Sequence, residues 1–259
     1  MRSLMILFTT LFALVAFKSE AAMDIAAYQS QATTDNAAHG RCAKKAISAT
    51  ECVKRIDWAV REGYITARAG EWGKANGFYP VVDFYDRTVG AVCKCGCFEA
   101  NTLIRVTKGG DIVDVAAKHI DDSYGLVGLA KDASLSLLST NTFEMRARTK
   151  GAEESDLYVF ILEDGSELKV TQHHGMLLGN GAMVAAKDVE LGQTMLRADG
   201  VELSVASITR EPTELDVYNF ETNGAEVVNH IIIANDILVG DLTWQNQLQA
   251  ELGQIVVRQ

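Results

Sequence analysis

A mainly β C-terminal half, preceded by a small and mostly helical unit, is the fold class that the sequence predicts, and three observations predict it. Apolar residues recur at helical spacing around Val53, Ile56, Ala59 and Val60. From Phe98 onward, short runs rich in Val, Ile, Leu, Phe and Thr are punctuated by Gly, Asn and Asp. Val-Ala-Ala-Lys occurs at 115–118 and again at 184–187, each time after a Gly-containing turn, which suggests an internal duplication of the β half.

The elements follow in order. Met1-Arg2, the apolar run Leu4 to Phe17 and the exit Ser19-Glu20-Ala21-Ala22 read as a signal peptide over 1–21, so the product is expected to be secreted or periplasmic. The run is shorter than the roughly 20 apolar residues that a membrane-spanning helix needs. Ser48 with Glu51 fits a capping box, and Gly63 supplies a stop. Around Tyr79 to Tyr85 the pattern turns extended, and Cys93-Lys94-Cys95-Gly96-Cys97 marks the junction.

In the β half, Leu157–Leu162 and Leu168–Thr171 flank Asp164-Gly165, a strong hairpin signal. Asn180-Gly181 separates Met176–Leu178 from Met183-Val184, and Asn223-Gly224 separates Val217–Phe220 from a strand expected over Val227–Ala234. The tail carries Trp244, Leu248, Leu252, Ile255 and Val256 at helical spacing. A helix packed on the core is expected there; a surface guiding an acceptor or touching a membrane is the alternative.

Acidic residues outnumber basic ones 34 to 24, and no basic stripe interleaved with aromatics occurs, so no nucleic acid partner is expected. The five cysteines would be free to form disulfides in an exported chain, and the odd count leaves one thiol over. The pairing of Cys42, Cys52, Cys93 and Cys95 is not legible from spacing.

Three blocks carry a resemblance. Gly96-Cys97-Phe98-Glu99-Ala100-Asn101-Thr102-Leu103-Ile104 resembles the N-terminal splice block of inteins and the Gly-Cys-Phe start of hedgehog autoprocessing domains. Lys169-Val170-Thr171-Gln172-His173-His174 is similar to their Thr-x-x-His block. Val217–Thr222 followed by Asn229–Asp241 resembles their C-terminal block. The order matches the Hint (hedgehog/intein) family over residues 97–241, leaving 22–96 as a small secreted N-terminal domain and 242–259 as a tail.

The resemblance implies a Hint-type horseshoe of β structure with pseudo-two-fold symmetry. It also implies self-processing in cis: an N–S acyl shift at Gly96-Cys97 giving a thioester. The chemistry fits these residue types. A cysteine is a strong acyl-transfer nucleophile once deprotonated, whereas a planar amide resists attack unless donors assist its cleavage. On this reading Thr171 orients the scissile peptide, and His174 protonates the departing nitrogen with a pKa near the working pH. Gly96 leaves the thioester carbonyl open, and His230 matches the C-terminal-block histidine.

Departures limit the reaction. Gly240, Asp241 and Leu242 stand where the family ends in Val-His-Asn followed by Cys, Ser or Thr. Asp has no amide nitrogen to form a succinimide, so no ligation is expected. The substrate is the chain's own N-terminal segment, and the acceptor water or a small nucleophile.

Ordinary explanations stand beside each residue. Cys97 is a candidate for a disulfide, Thr171 for a plain strand residue, and His230 for a turn-satisfying one. Of the adjacent pair, His173 is expected at the surface; His39 and His119 read as linker and helical-turn residues. Other functions consistent with the sequence are an inert secreted scaffold and a Cys-His hydrolase acting in trans. A metal site on Cys93, Cys95, Cys97 and His173 or His174 lacks zinc-knuckle spacing, so neither metal nor cofactor is expected.

Overall fold

The structure, a computed structural model, describes residues 22–33, 49–94, 97–153, 156–246, 248 and 251–258. The expected signal peptide, His39, Cys42, Ser48, Cys95 and Gly96 lie outside the described residues. The chain has the predicted class, a mainly β half following a smaller, mostly helical unit.

In the first unit, α1 (Ile25–Thr33), α2 (Ala49–Arg61) and α3 (Ala67–Asn76) pack with a hairpin of β1 (Phe78–Asp83) and β2 (Thr88–Lys94). Helical spacing places Cys52, Ile56 and Ala59 on the buried face of α2. Thr66 caps α3 by accepting a hydrogen bond from the Ala69 amide (3.3 Å). Tyr28, Ile56, Ile65, Phe78 and Tyr79 are fully buried, each contributing about 1.5–3 kcal/mol. The Tyr28 hydroxyl donates to the Phe78 carbonyl at 2.8 Å. Cys52 and Cys93 each take part in a disulfide bond.

The β half comprises β3 (Leu103–Lys108), β4 (Asp111–Ala116), β5 (Gly125–Leu129), β6 (Thr140–Ala152), β7 (Leu157–Leu162), β8 (Glu167–Val170), β9 (Gly175–Leu177) and β10 (Met183–Ala185). β11 (Thr194–Leu196), β12 (Glu202–Glu211), β13 (Asp216–Thr222), β14 (Ile231–Ala234) and β15 (Ile237–Gly240) follow, then a short helix α4 (Leu242–Asn246). The larger sheet runs β10-β9-β15-β14-β3-β5-β6-β13 with β4 beside β3, and the smaller runs β11-β12-β7-β8. Ile104, Phe160, Met176, Phe220, Ile232 and Val239 belong to the core between them.

The repeated Val-Ala-Ala-Lys marks equivalent places in the two subdomains. At each, a strand ends and a 3-10 turn follows, Ala117–His119 in one and Ala186–Asp188 in the other. The hydrogen bonds repeat as well. Ala117 and Lys118 donate to the carbonyls of Thr102 and Ala100, while Ala186 and Lys187 donate to those of His174 and Gln172. His174 is thus the pseudo-symmetric counterpart of Thr102.

Two of the three expected turns behave as read: Gly165 (φ +85) joins β7 to β8, and Gly181 (φ +81) joins β9 to β10. The third does not make a simple hairpin. Val227–His230 form a 3-10 turn, held by Glu226 and Asn229 in a reciprocal cap, so the strand begins only at Ile231. β13 pairs with β6 instead of β14. The tail also departs from expectation: α4 stops at Asn246, and a turn through Gly253 (φ +89) sends residues 251–258 along the core as a strap. There Ile255 bridges Ala182, and Arg258 bridges Ser134.

Candidate active site

Cys97 sits inside the domain because the first residues of the β half form a short strand between two others. Phe98 exchanges backbone hydrogen bonds with Tyr218 of β13, at 2.6 and 2.9 Å, on one side. On the other side Glu99 donates to Lys169 and Thr171 donates to Cys97. Cys97 is in no disulfide, 1% exposed, and packed with Leu157 and Val217.

Cys97 and Thr171 are bonded in both directions. The Cys97 amide donates to Thr171 Oγ1 at 2.6 Å, and the Thr171 amide donates to the Cys97 carbonyl at 2.9 Å. A tight turn then returns the chain, with the His174 amide donating to the Thr171 carbonyl at 3.0 Å. This turn carries the His174 ring onto Phe98, centroid to centroid 4.1 Å.

His174 is completely buried. Desolvation pushes its pKa down to about 3, although the Gly240 backbone beside the ring pulls the other way. The expectation of an imidazole titrating near the working pH is therefore corrected: too little solvent reaches this ring to support its charge. Nδ1 lies 2.9 Å from Nε2 of Gln245 on α4, and Nε2 has no hydrogen-bond partner among the described residues. Gln245 in turn accepts from Asn219 Nδ2 at 2.9 Å. Neither Gln245 nor Asn219 was singled out from the sequence, since an isolated amide carries no motif.

His173 was expected at the surface and is buried instead. The turn faces it toward the helical unit, where Gly77 (φ +68) ends α3. A Cβ at Gly77 would come within 2.4 Å of the His173 ring.

His230 is not brought to Cys97. It belongs to a second cluster in which its Nδ1 lies 2.9 Å from Asp241 Oδ2 and 3.1 Å from Thr222 Oγ1. The fully buried Asp241 carboxylate also accepts from the amides of Thr222 (2.8 Å) and Thr243 (2.7 Å), the latter bond capping α4. Burial opposes a charge on His230, but the charge and hydrogen bond of Asp241, helped by Glu221 and the Gly224 backbone, raise its pKa above the ordinary value. The two clusters share their supports. Asn219 and Thr222 lie on β13, while Asp241 and Gln245 stand at the start and near the end of one helical turn.

Gly240 has a local cause. A Cβ there would lie 2.7 Å from the Trp244 indole, so the space that a side chain would fill is occupied by α4. Among the described residues, no group of three or more His, Cys, Asp or Glu is arranged to hold a metal ion.

No family model matches the sequence, and no curated protein matches it. Among solved structures, the chain is similar to the Ssp DnaB mini-intein variant M86, with 17% identity, 56% of this chain and 94% of that one covered, and a TM-score of 0.46. It is similar to a DnaB intein from Synechocystis sp. PCC 6803, with 19% identity, 56% and 98% covered, and a TM-score of 0.44. It is also similar to a bacterial intein-like domain from Clostridium thermocellum, with 18% identity, 56% and 98% covered, and a TM-score of 0.46.

Proposed function

We propose that this chain is an exported precursor whose Hint-type β half cleaves the peptide bond before Cys97 and releases the N-terminal unit without splicing. The observation that carries the reading is the buried Cys97, outside any disulfide, whose own amide donates to Thr171. In the first step, deprotonated Sγ adds to the carbonyl carbon of residue 96. The C–S bond forms, the C–N bond breaks, and the Cys97 nitrogen takes up a proton, leaving a thioester and a free amine. Water or a small nucleophile then displaces the thiolate, which recovers its proton.

Thr171 suits the first step because a hydroxyl both accepts and donates. It accepts from the amide before cleavage and, on rotation, offers its proton to the nitrogen as that atom becomes basic. His174 serves as a neutral imidazole, not as an imidazolium. Burial of Cys97 favours action in cis over a trans hydrolase, since an outside chain has no route to a thiol that is 1% exposed. The absence of ligation is supported by Asp241, whose oxygens are held by three donors and which has no amide nitrogen to attack its own carbonyl.

Intact mass of the purified chain, with and without dithiothreitol, beside Cys97→Ala, tests this. Wild type should split before Cys97, faster with thiol and at a rate independent of dilution, and the variant should stay whole. Persistence of full-length wild type under reducing conditions would leave the β half as an inert scaffold.

A further inference from the structure

We propose that Gln245 is a positioning residue that holds His174 in the tautomer with its proton on Nε2, with Asn219 setting the direction of the Gln245 amide. The catalytic part of this inference rests on the self-cleavage reading; the tautomer itself does not.

The assignment follows from one backbone group that can only donate. The Phe220 amide donates to Asn219 Oδ1 at 2.8 Å, so the other end of that side chain, Nδ2, faces Gln245. An amide NH2 has no lone pair to offer, so it must find an acceptor, and Gln245 Oε1 is placed there at 2.9 Å. Gln245 Nε2 is thereby turned to His174 Nδ1, and because it too only donates, Nδ1 must present its lone pair. A neutral imidazole has one N–H, which is left on Nε2. Protonating Nδ1 as well would set two donors against each other.

Nε2 is the buried atom with no hydrogen-bond partner among the described residues. A buried donor without a partner is costly, and this one belongs to the ring tilted against Phe98, next to the cysteine. It is a donor held ready for an acceptor that forms during the reaction, such as the departing nitrogen or the oxygen of a tetrahedral intermediate.

The same reasoning gives the C-terminal segment a role. Asp241, standing where the family's cyclising Asn would be, caps the helix that carries Gln245, and His230 holds Asp241. Groups that would release a C-terminal segment instead fasten it against His174.

The test begins with the uncleavable Cys97→Ala chain, with 15N-labelled imidazoles. Among the five histidines, His174 is assigned by loss of its signal in His174→Gln. Long-range 1H–15N correlation should show Nε2 protonated and Nδ1 bare. Asn219→Asp, whose carboxylate repels Oε1, should turn the Gln245 amide and move the proton to Nδ1. Gln245→Met should leave a mixture. With Cys97 present, Gln245→Met should cleave roughly 10–100-fold more slowly, the loss expected for one oriented donor.

A His174 protonated on Nδ1 in the Cys97→Ala chain overturns the proposal, whether or not wild type cleaves. So does a tautomer unmoved by both substitutions, or a Gln245→Met chain that cleaves at the wild-type rate. If wild type does not cleave at all while the tautomer is as stated, the self-cleavage reading fails and the positioning assignment stands.

Discussion

The amide nitrogen of Cys97 lies 2.6 Å from the hydroxyl oxygen of Thr171, a residue 74 positions further along the chain. A backbone donor that would bond to a sheet partner is given instead to a side chain that can return a proton. Thr171→Val keeps the shape and removes the hydroxyl, so cleavage before Cys97 should slow by roughly tenfold to a hundredfold, the worth of one buried hydrogen bond at the reacting atom. Thr171→Ser should retain most of the rate. Time courses of intact mass for both variants check this.

Two of the buried histidines, His174 and His230, should pull stability in opposite directions with pH. His174 is neutral in the folded chain, with its pKa pushed down to about 3, and titrates at roughly 6.5 when unfolded. The unfolded chain then binds a proton that the folded chain refuses, and stability falls as pH drops below that value. His230 is raised, so its contribution is complete below the ordinary value and is lost as pH rises through the raised one. Urea midpoints of uncleavable Cys97→Ala chains, taken between about pH 4 and pH 8, should show a shallower acid decline for His174→Gln. His230→Gln should lose the alkaline decline.

Asp241→Asn installs the residue type with which Hint domains usually end, yet it should neither splice nor gain stability. The site directs three donors at the carboxylate, and an amide NH2 would face one of them. A loss of about 1–3 kcal/mol is expected from chemical denaturation. Appearance of a product cut after residue 241 would contradict the structural role given to this residue.

Gly240→His should be destabilising, because its Cβ would meet the Trp244 ring at 2.7 Å. A penalty of about 1–3 kcal/mol is typical of such overpacking. Adding Trp244→Ala should not restore wild-type stability, since it empties a buried position, but it should remove the clash. A double-mutant cycle on denaturation midpoints would therefore show strong coupling between the two positions.

Where turn chemistry set an element, it was legible in the sequence. Asp164-Gly165 and Asn180-Gly181 need glycine at positive φ, and both hairpins lie where those pairs put them. The duplicated Val-Ala-Ala-Lys was legible too, because both copies end a strand and make the same bonds. β6 (Thr140–Ala152) was not read, although Phe143, Met145 and Ala147 alternate with Glu144, Arg146 and Arg148: no turn pair marks its ends, and it is held by long-range pairing with β5 and β13. Cys97, Thr171 and His174 could be named from their blocks, but the burial that lowers the His174 pKa comes from the fold around it. Gln245 left no trace, since its meaning depends on Asn219 and His174, which lie 26 and 71 positions away.

The strand that carries Cys97 is gripped on both flanks, by Lys169 and Thr171 on one side and by Tyr218 on the other. During synthesis Cys97 emerges long before these neighbours, so in the nascent chain it is an ordinary thiol beside an ordinary amide. On the proposed self-cleavage, completion of the fold around it would act as a clock, scheduling the cut for a chain that has already finished assembling. The new amino terminus would then stay clamped in its sheet, and only the piece ahead of it would be set loose.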